Sequence, residues 1–194
     1  MNLITLPKIS FKGRRAWPIV AVGSAVGYCA VCTVLIFHKR PVRTRPALAP
    51  EATRTRVGQF APAFRITTTT GQVFDLAAPR HQPVLVTFFA TWCGPCAKEL
   101  RRLETEVWQK KRGRGLAILA IGIDDGDAAI KRFCLQKGLT FPAASDAGSK
   151  VFSKYAAIAI PRTYLIDAQG RIVYQSLGYT EEEFSHLLQA VDRL

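Results

Sequence analysis

Residues 84–96 read VLVTFFATWCGPC. The first seven, 84–90, are almost continuously apolar, and Pro83 precedes them. Such a run suits a strand buried on both faces of a sheet. Two cysteines follow at once, Cys93 and Cys96, with Trp92 before them and Gly94-Pro95 between. Covalent haem attachment requires a histidine after the second cysteine, and Ala97 stands there. Structural zinc normally takes a second ligand pair. The histidines are His38, His81 and His186, and the globular part offers no such pair. A static disulfide across two residues would remove little entropy from the unfolded chain. Redox chemistry fits better. A strand feeding directly into a helix puts Cys93 at the helix N-terminus, where free N–H groups and the helix dipole favour a thiolate. Pro95 in the first turn forfeits no hydrogen bond. Cys96 falls one turn along, in reach of a mixed disulfide on Cys93.

Outward from this stretch the pattern alternates. Phe64–Thr70 and Val73–Leu76 read as two short strands around a turn at Gly71. Leu100, Leu103, Val107 and Trp108 mark a helix ending in basic residues and Gly113. LAILAIGI (116–123) is a second buried strand, and a helix carrying Ile130, Phe133, Cys134 and Leu135 follows it. Residues 147–157 read as helical. Thr163–Ile166 and Arg171–Tyr174 flank a hairpin turn, and Glu181-Glu182-Glu183 opens a last helix. The pattern implies an α/β fold with a mixed central sheet and helices on both faces.

The chain of 194 residues carries a formal charge of +13, which raises the possibility of a nucleic-acid binder. The charge is unevenly placed. Residues 1–56 hold ten Lys/Arg against one acid, Glu51, while residues 57–194 hold 17 Lys/Arg and 13 Asp/Glu. Lys110, Lys111, Arg112 and Arg114 form a modest basic helix end, read as a solvated face that complements the helix dipole, so no nucleic-acid partner is expected. Residues 18–37, PIVAVGSAVGYCAVCTVLIF, lack any charge. At about 1.5 Å per residue they span the roughly 30 Å of membrane hydrocarbon. An uncleaved anchor is favoured over a cleaved signal peptide, whose apolar core is shorter. The expected organisation is a basic segment (1–17), a transmembrane anchor (18–37), a tether rich in Arg, Pro, Ala and Thr (38–56) and a globular domain (57–194). Cys29 and Cys32 lie in the anchor and read as small apolar residues. Cys134 reads as a buried, inert thiol. Both flanks of the anchor are basic, the C-terminal one slightly more so, and charge alone leans toward a cytoplasmic domain.

The combination of Val57–Phe64, LVTFFATWCGPC, Lys98-Glu99 and IPRTYLIDAQGRIVY (160–174) resembles the membrane-anchored thiol–disulfide oxidoreductases of the TlpA/ResA type, within the thioredoxin superfamily. The resemblance covers residues 57–194. It implies a thioredoxin-like fold with an extra strand and helix between Cys96 and Pro161. It implies that Cys93 attacks and Cys96 resolves, that Pro161 is a cis-proline packed against the dithiol, and that the backbone of Ile160 pairs with a bound substrate segment. Trp92 would wall one side of that site. It also implies a bacterial inner-membrane protein with a single span and its C-terminal domain in the periplasm. The expected partners are disulfides of exported proteins, apocytochrome c among them, and a membrane or periplasmic thiol donor. No flavin or nicotinamide fingerprint occurs, and no cofactor or metal is expected. The chain departs from thioredoxin at Thr87, where the superfamily's buried acid would stand six residues before the first cysteine. Glu99 is a candidate proton carrier in its place, against the plainer reading of a surface helix residue. Two other functions stay open: a thiol peroxidase, suggested by KRFCLQKGLTFP (131–142), and a copper-binding dithiol chaperone.

Overall fold

The apolar run at 84–90 forms the middle of the sheet. Strand β3 (Val84–Phe89) is buried at all six positions, because it has a paired strand on each edge and packed layers on each face. The structure is a computed structural model that describes residues 52–79, 81–113 and 115–194. The anchor at 18–37 lies outside the described residues. Before β3 come β1 (Arg65–Thr67) and β2 (Val73–Asp75), an antiparallel pair. After it come α1 (Gly94–Arg102), a π-helical segment (Leu103–Trp108) and a last turn, α2 (Gln109–Lys111). Then follow β4 (Ala117–Ile123), α3 (Asp127–Lys137), β5 (Ala143–Asp146) and α4 (Phe152–Tyr155). The hairpin β6 (Arg162–Ile166) and β7 (Ile172–Leu177) precedes α5 (Glu181–Asp192). The sheet order is β5-β4-β3-β6-β7. β3, β4 and β5 run parallel, whereas β6 and β7 run antiparallel to their neighbours. This is a thioredoxin-like mixed sheet.

Side chains alternate across β3 with the strand period of two. Leu85 and Phe89 enter a core shared with Leu100 and Leu103 of the CxxC helix, Ile130 and Phe133 of α3, and Phe184 and Leu187 of α5. Val84, Val86 and Phe88 enter the opposite core with Phe64, Phe152, Tyr155 and Tyr164. Thr87 shares the parity of Leu85 and Phe89, so it faces the α1 side, and it is wholly buried. Burying each of these large apolar side chains is worth roughly 1.5–3 kcal/mol. That exceeds what helix propensity supplies per residue, so packing rather than local preference holds these short elements in place. Helices cover the two faces unequally: α1, α3 and α5 lie on one, and the single turn α4 serves the other with the β1–β2 pair.

Three local expectations are corrected. The helix expected over 147–157 shrinks to Phe152–Tyr155. Gly148 and Ser149 adopt φ of 82° and 53°, outside the helical region, and the Asp146 carboxylate accepts from the N–H groups of Val151 and Phe152 to start the turn late. Leu135, expected on the buried face of α3, is 83% exposed, because Ile130 and Phe133 define that face. The tether expected to run to residue 56 is packed from Ala52 onward. Thr53 bridges Ala156, Arg54 N–H donates to Tyr155 O at 2.9 Å, and Ala157 N–H donates to Ala52 O at 3.1 Å.

Gly122 of β4 shows how tightly α3 packs on the sheet. A Cβ there would lie 2.5 Å from Ile130 Cδ1 and 3.5 Å from Phe89 Cζ. Ile130 is wholly buried, so its side chain would have to shift within the packed core to admit that methyl. Gly122→Ala is expected to destabilise the domain by about 1–3 kcal/mol through overpacking. A lowered urea midpoint at unchanged slope would register it; an unchanged midpoint would refute it.

Candidate active site

At the C-terminal end of β3 the chain turns sharply. Cys93 N–H donates to Ala90 O at 3.0 Å, and Cys93 takes up the N-cap position of α1 with extended backbone, φ −83° and ψ 106°. Its sulfur accepts from the N–H of Cys96 at 3.2 Å. That contact is what an N-cap acceptor makes, and it places Cys93 Sγ where the first turn of a helix favours negative charge once a thiolate forms. The two cysteines are disulfide-linked, with Cα atoms 5.3 Å apart. They are not equivalent. Cys93 is 6% exposed and Cys96 0%, so an incoming sulfur reaches the pair from the Cys93 side. Trp92, next to them, is 77% exposed.

The turn is fixed from the next strand. Asp125, just after β4, accepts from Thr91 N–H at 2.7 Å through one carboxylate oxygen and from Thr91 Oγ1 at 2.9 Å through the other. Two bonds to one residue set both position and orientation of the segment entering the dithiol. In the sequence Asp125 is one of three acids in the stretch Asp124-Asp125-Gly126-Asp127, with nothing to single it out.

From β6 comes the second wall. The Ile160–Pro161 peptide is cis, and Pro161 O accepts from Gly178 N–H at 2.8 Å. Ile160 packs against the core that contains both cysteines. Phe88 near the end of β3 pairs with Arg162 at the start of β6, so Trp92, Cys93, Cys96, Ile160 and Pro161 lie at one end of the sheet.

Glu99 corrects its plainer reading. It is not a surface residue: it is 3% exposed, on the face of α1 that also buries Cys96 and Leu100. Residues three apart on a helix share a face, so Glu99 and Cys96 are buried on the same side of α1. Thr163 Oγ1 donates to Glu99 Oε1, and Thr163 Oγ1 and Thr87 Oγ1 share a hydrogen bond of 2.9 Å. Oε2 has no partner among the described residues. Burial pushes the Glu99 carboxyl up to about 7, against the opposing effect of the Thr163 hydrogen bond. Thr87 thus takes part in the buried polar cluster as a hydroxyl, while the acid reaches the same space from α1 instead of β3. Glu99 also borders a small cavity of about 10 Å³ with Ser176, Tyr179 and Glu183, enough for one water molecule. Thr163, which sequence reasoning missed, stands opposite Thr87 in the β3–β6 register.

Cys134 is half-buried, and its thiol is pushed up to about 11 by burial and the nearby charge of Glu104. A thiol so protonated at neutral pH is a poor nucleophile. Glu104, in the π segment, is itself committed to the fold: it accepts from Thr140 N–H at 2.8 Å and Thr140 Oγ1 at 2.6 Å. No group of three or more metal-ligating side chains assembles among the described residues.

The Redoxin family model matches residues 56–191. The chain is 34% identical over 137 residues to the thiol–disulfide oxidoreductase ResA of Bacillus thuringiensis (strain Al Hakam), covering 70% of this chain and 79% of that one. It is 28% identical over 129 residues to ResA of Bacillus subtilis (strain 168), covering 66% and 72%. Among solved structures, a proposed protein disulfide isomerase from Bacteroides thetaiotaomicron superimposes with a TM-score of 0.70 at 35% identity, covering 73% of this chain and 91% of that one.

Proposed function

The chain belongs to the Redoxin family and is a thiol–disulfide oxidoreductase of the ResA type, and on that premise we propose that it is a membrane-tethered reductase of disulfides in exported proteins, with apocytochrome c as a candidate client. Residues 18–37 form its single span, residues 38–51 its tether, and the domain faces the periplasm. Family kinship supports that side over the weak lean of the flanking charges.

The observation that carries the reading is the asymmetry of the dithiol. One sulfur lies at the helix N-terminus with a measure of exposure; the other is buried on the helix face that also buries Glu99, whose carboxyl desolvation pushes up to about 7. In the reduced protein the Cys93 thiolate attacks one sulfur of a client disulfide. A Cys93–client mixed disulfide forms and the client's second sulfur leaves as a thiolate, which takes a proton from solvent. Cys96 then gives its proton to Glu99 and attacks Cys93 Sγ. The Cys93–Cys96 disulfide forms and the second client thiol departs. Two electrons have passed to the client. A dithiol carrier in or near the membrane restores the reduced pair by the reverse exchange. Gly94-Pro95 between the cysteines, as in thioredoxin, supports the reducing direction. The backbone beside Ile160 pairs with the client segment, and Trp92 bounds it.

Trapping tests this. With Cys96→Ser in the native membrane, mixed disulfides on Cys93 are expected to accumulate and to yield exported cysteine-containing proteins on mass spectrometry. Absence of any Cys93 adduct would overturn the reductase reading.

A further inference from the structure

Three consecutive residues at the start of β6 point to three tasks. Pro161 carries the cis bond, Thr163 meets Glu99, and between them Arg162 turns the other way. Arg162 is 1% exposed. A buried guanidinium is costly unless its donors are matched. Here each nitrogen has an acceptor. Nε donates to Ile158 O at 3.0 Å and Ala159 O at 3.2 Å; Nη1 donates to Thr53 Oγ1 at 2.8 Å; Nη2 donates to Ala52 O at 2.7 Å. None of these acceptors is a carboxylate. The cation is spent on backbone carbonyls and one hydroxyl, which is a positioning arrangement rather than charge neutralisation.

What it positions is specific. Ile158 and Ala159 lead directly into the cis Ile160–Pro161 bond. Ala159 has φ of +70°, a left-handed conformation that a non-glycine residue adopts only when its surroundings hold it there. Arg162 grips the carbonyl of Ala159 and the one before it. In the same loop Ile158 is 52% exposed, an apolar side chain presented to solvent. The other two acceptors belong to the first packed residues of the chain arriving from the tether. Ala52 O also accepts from Ala157 N–H, so the root of the tether is zipped to the same loop.

We propose that Arg162 is a positioning residue for client binding, and that Ala52–Thr53 at the tether root complete the device by filling the other half of its guanidinium. Arg162 shapes Ile158–Ala159 from beneath so that the Ile160 backbone meets an extended client segment. Lysine cannot substitute, because one ammonium cannot span four acceptors on two segments. The inference rests on the reading that Ile160 pairs with the client.

Full-length protein in detergent, with insulin as the disulfide probe, separates the outcomes. Arg162→Met is expected to raise KM about tenfold, as loss of a charge-assisted hydrogen-bond set would, with kcat within about twofold. Arg162→Lys is expected to recover only part of this. Thr53→Val, at a half-buried position, should raise KM about threefold and carries the test if Arg162→Met does not fold. Ile160→Asp, a charge on the proposed client face, should raise KM as well. A raised KM in Ile160→Asp with wild-type KM in the Arg162 and Thr53 variants overturns the proposal alone. A wild-type KM in Ile160→Asp overturns the reading beneath it. Lower thermal stability at unchanged KM would make Arg162 purely structural and likewise overturn the proposal.

Discussion

Cys93→Ser is expected to cut insulin reduction to the rate given by the reagent dithiol alone. The two cysteines divide the reaction unequally. Cys93 Sγ is the sulfur at the N-cap, accepting from Cys96 N–H at 3.2 Å, and only Cys93 of the pair has measurable exposure. A serine hydroxyl in that position keeps the hydrogen bond but holds its proton at neutral pH, and without a thiolate there is no attack on a disulfide. Cys96 cannot take over, since it is wholly buried among Leu100 and Phe89. Cys93→Ser therefore loses both exchange steps, whereas Cys96→Ser keeps the first and stops at the mixed disulfide. Turbidity of the released insulin B chain measures the rate. Undiminished turnover in Cys93→Ser would sink the assignment of the nucleophile.

The parts legible in the sequence are those set by local pattern. The run at 84–90 reads as a doubly buried strand because six of its seven residues are apolar, and the cysteine spacing needs only a helix after it. The hairpin at 162–177 announced itself through Asp167 and Gly170. The plainer reading of Glu99 as a surface residue fails for a physical reason. It lies on the stripe Cys96, Leu100, Leu103, Val107, so periodicity put it inside while its charge argued for water. The companion clue was Thr87, a lone hydroxyl in an otherwise apolar buried strand that needs a partner. Arg162 had no local signal at all: its acceptors at Thr53 and Ala52 lie 109 and 110 residues away. The same separation hid the packing of residues 52–55, whose polar composition resembles the tether before them.

Glu99→Gln is expected to alter two pH profiles at once, in ways that share one cause. The carboxyl accepts from Thr163 on β6, which in turn bonds Thr87 on β3, and it borders the cavity lined by Ser176, Tyr179 and Glu183; Cys96 is buried on the same face of α1. Desolvation raises it from 4.5 to about 7, so the folded protein holds a proton that the unfolded chain releases. Below about pH 4.5 both states are protonated and Glu99 makes no pH-dependent contribution. Between about pH 4.5 and 7 the folded state binds more protons than the unfolded one, so stability falls as pH rises; above that the loss is complete. A shift of this size corresponds to about 3 kcal/mol. Glutamine does not titrate, and urea unfolding of Glu99→Gln should lack this slope and show a gain over the parent at pH 8. Catalysis is expected to move the opposite way. Cys96 is buried without solvent, so its thiol must pass its proton to a group held nearby before it can attack Cys93 Sγ, and the ionised Glu99 is placed for that on the same helix face. Removing a positioned base typically costs about 10²–10⁴ in rate. Stopped-flow resolution of a preformed Cys93 mixed disulfide should slow by about a hundredfold at pH 7 and lose the inflection near that pH. A Glu99→Gln protein that gains stability but resolves at the parental rate would leave the carboxyl as a buried cost without a catalytic return, and the proton from Cys96 would have to leave by another route.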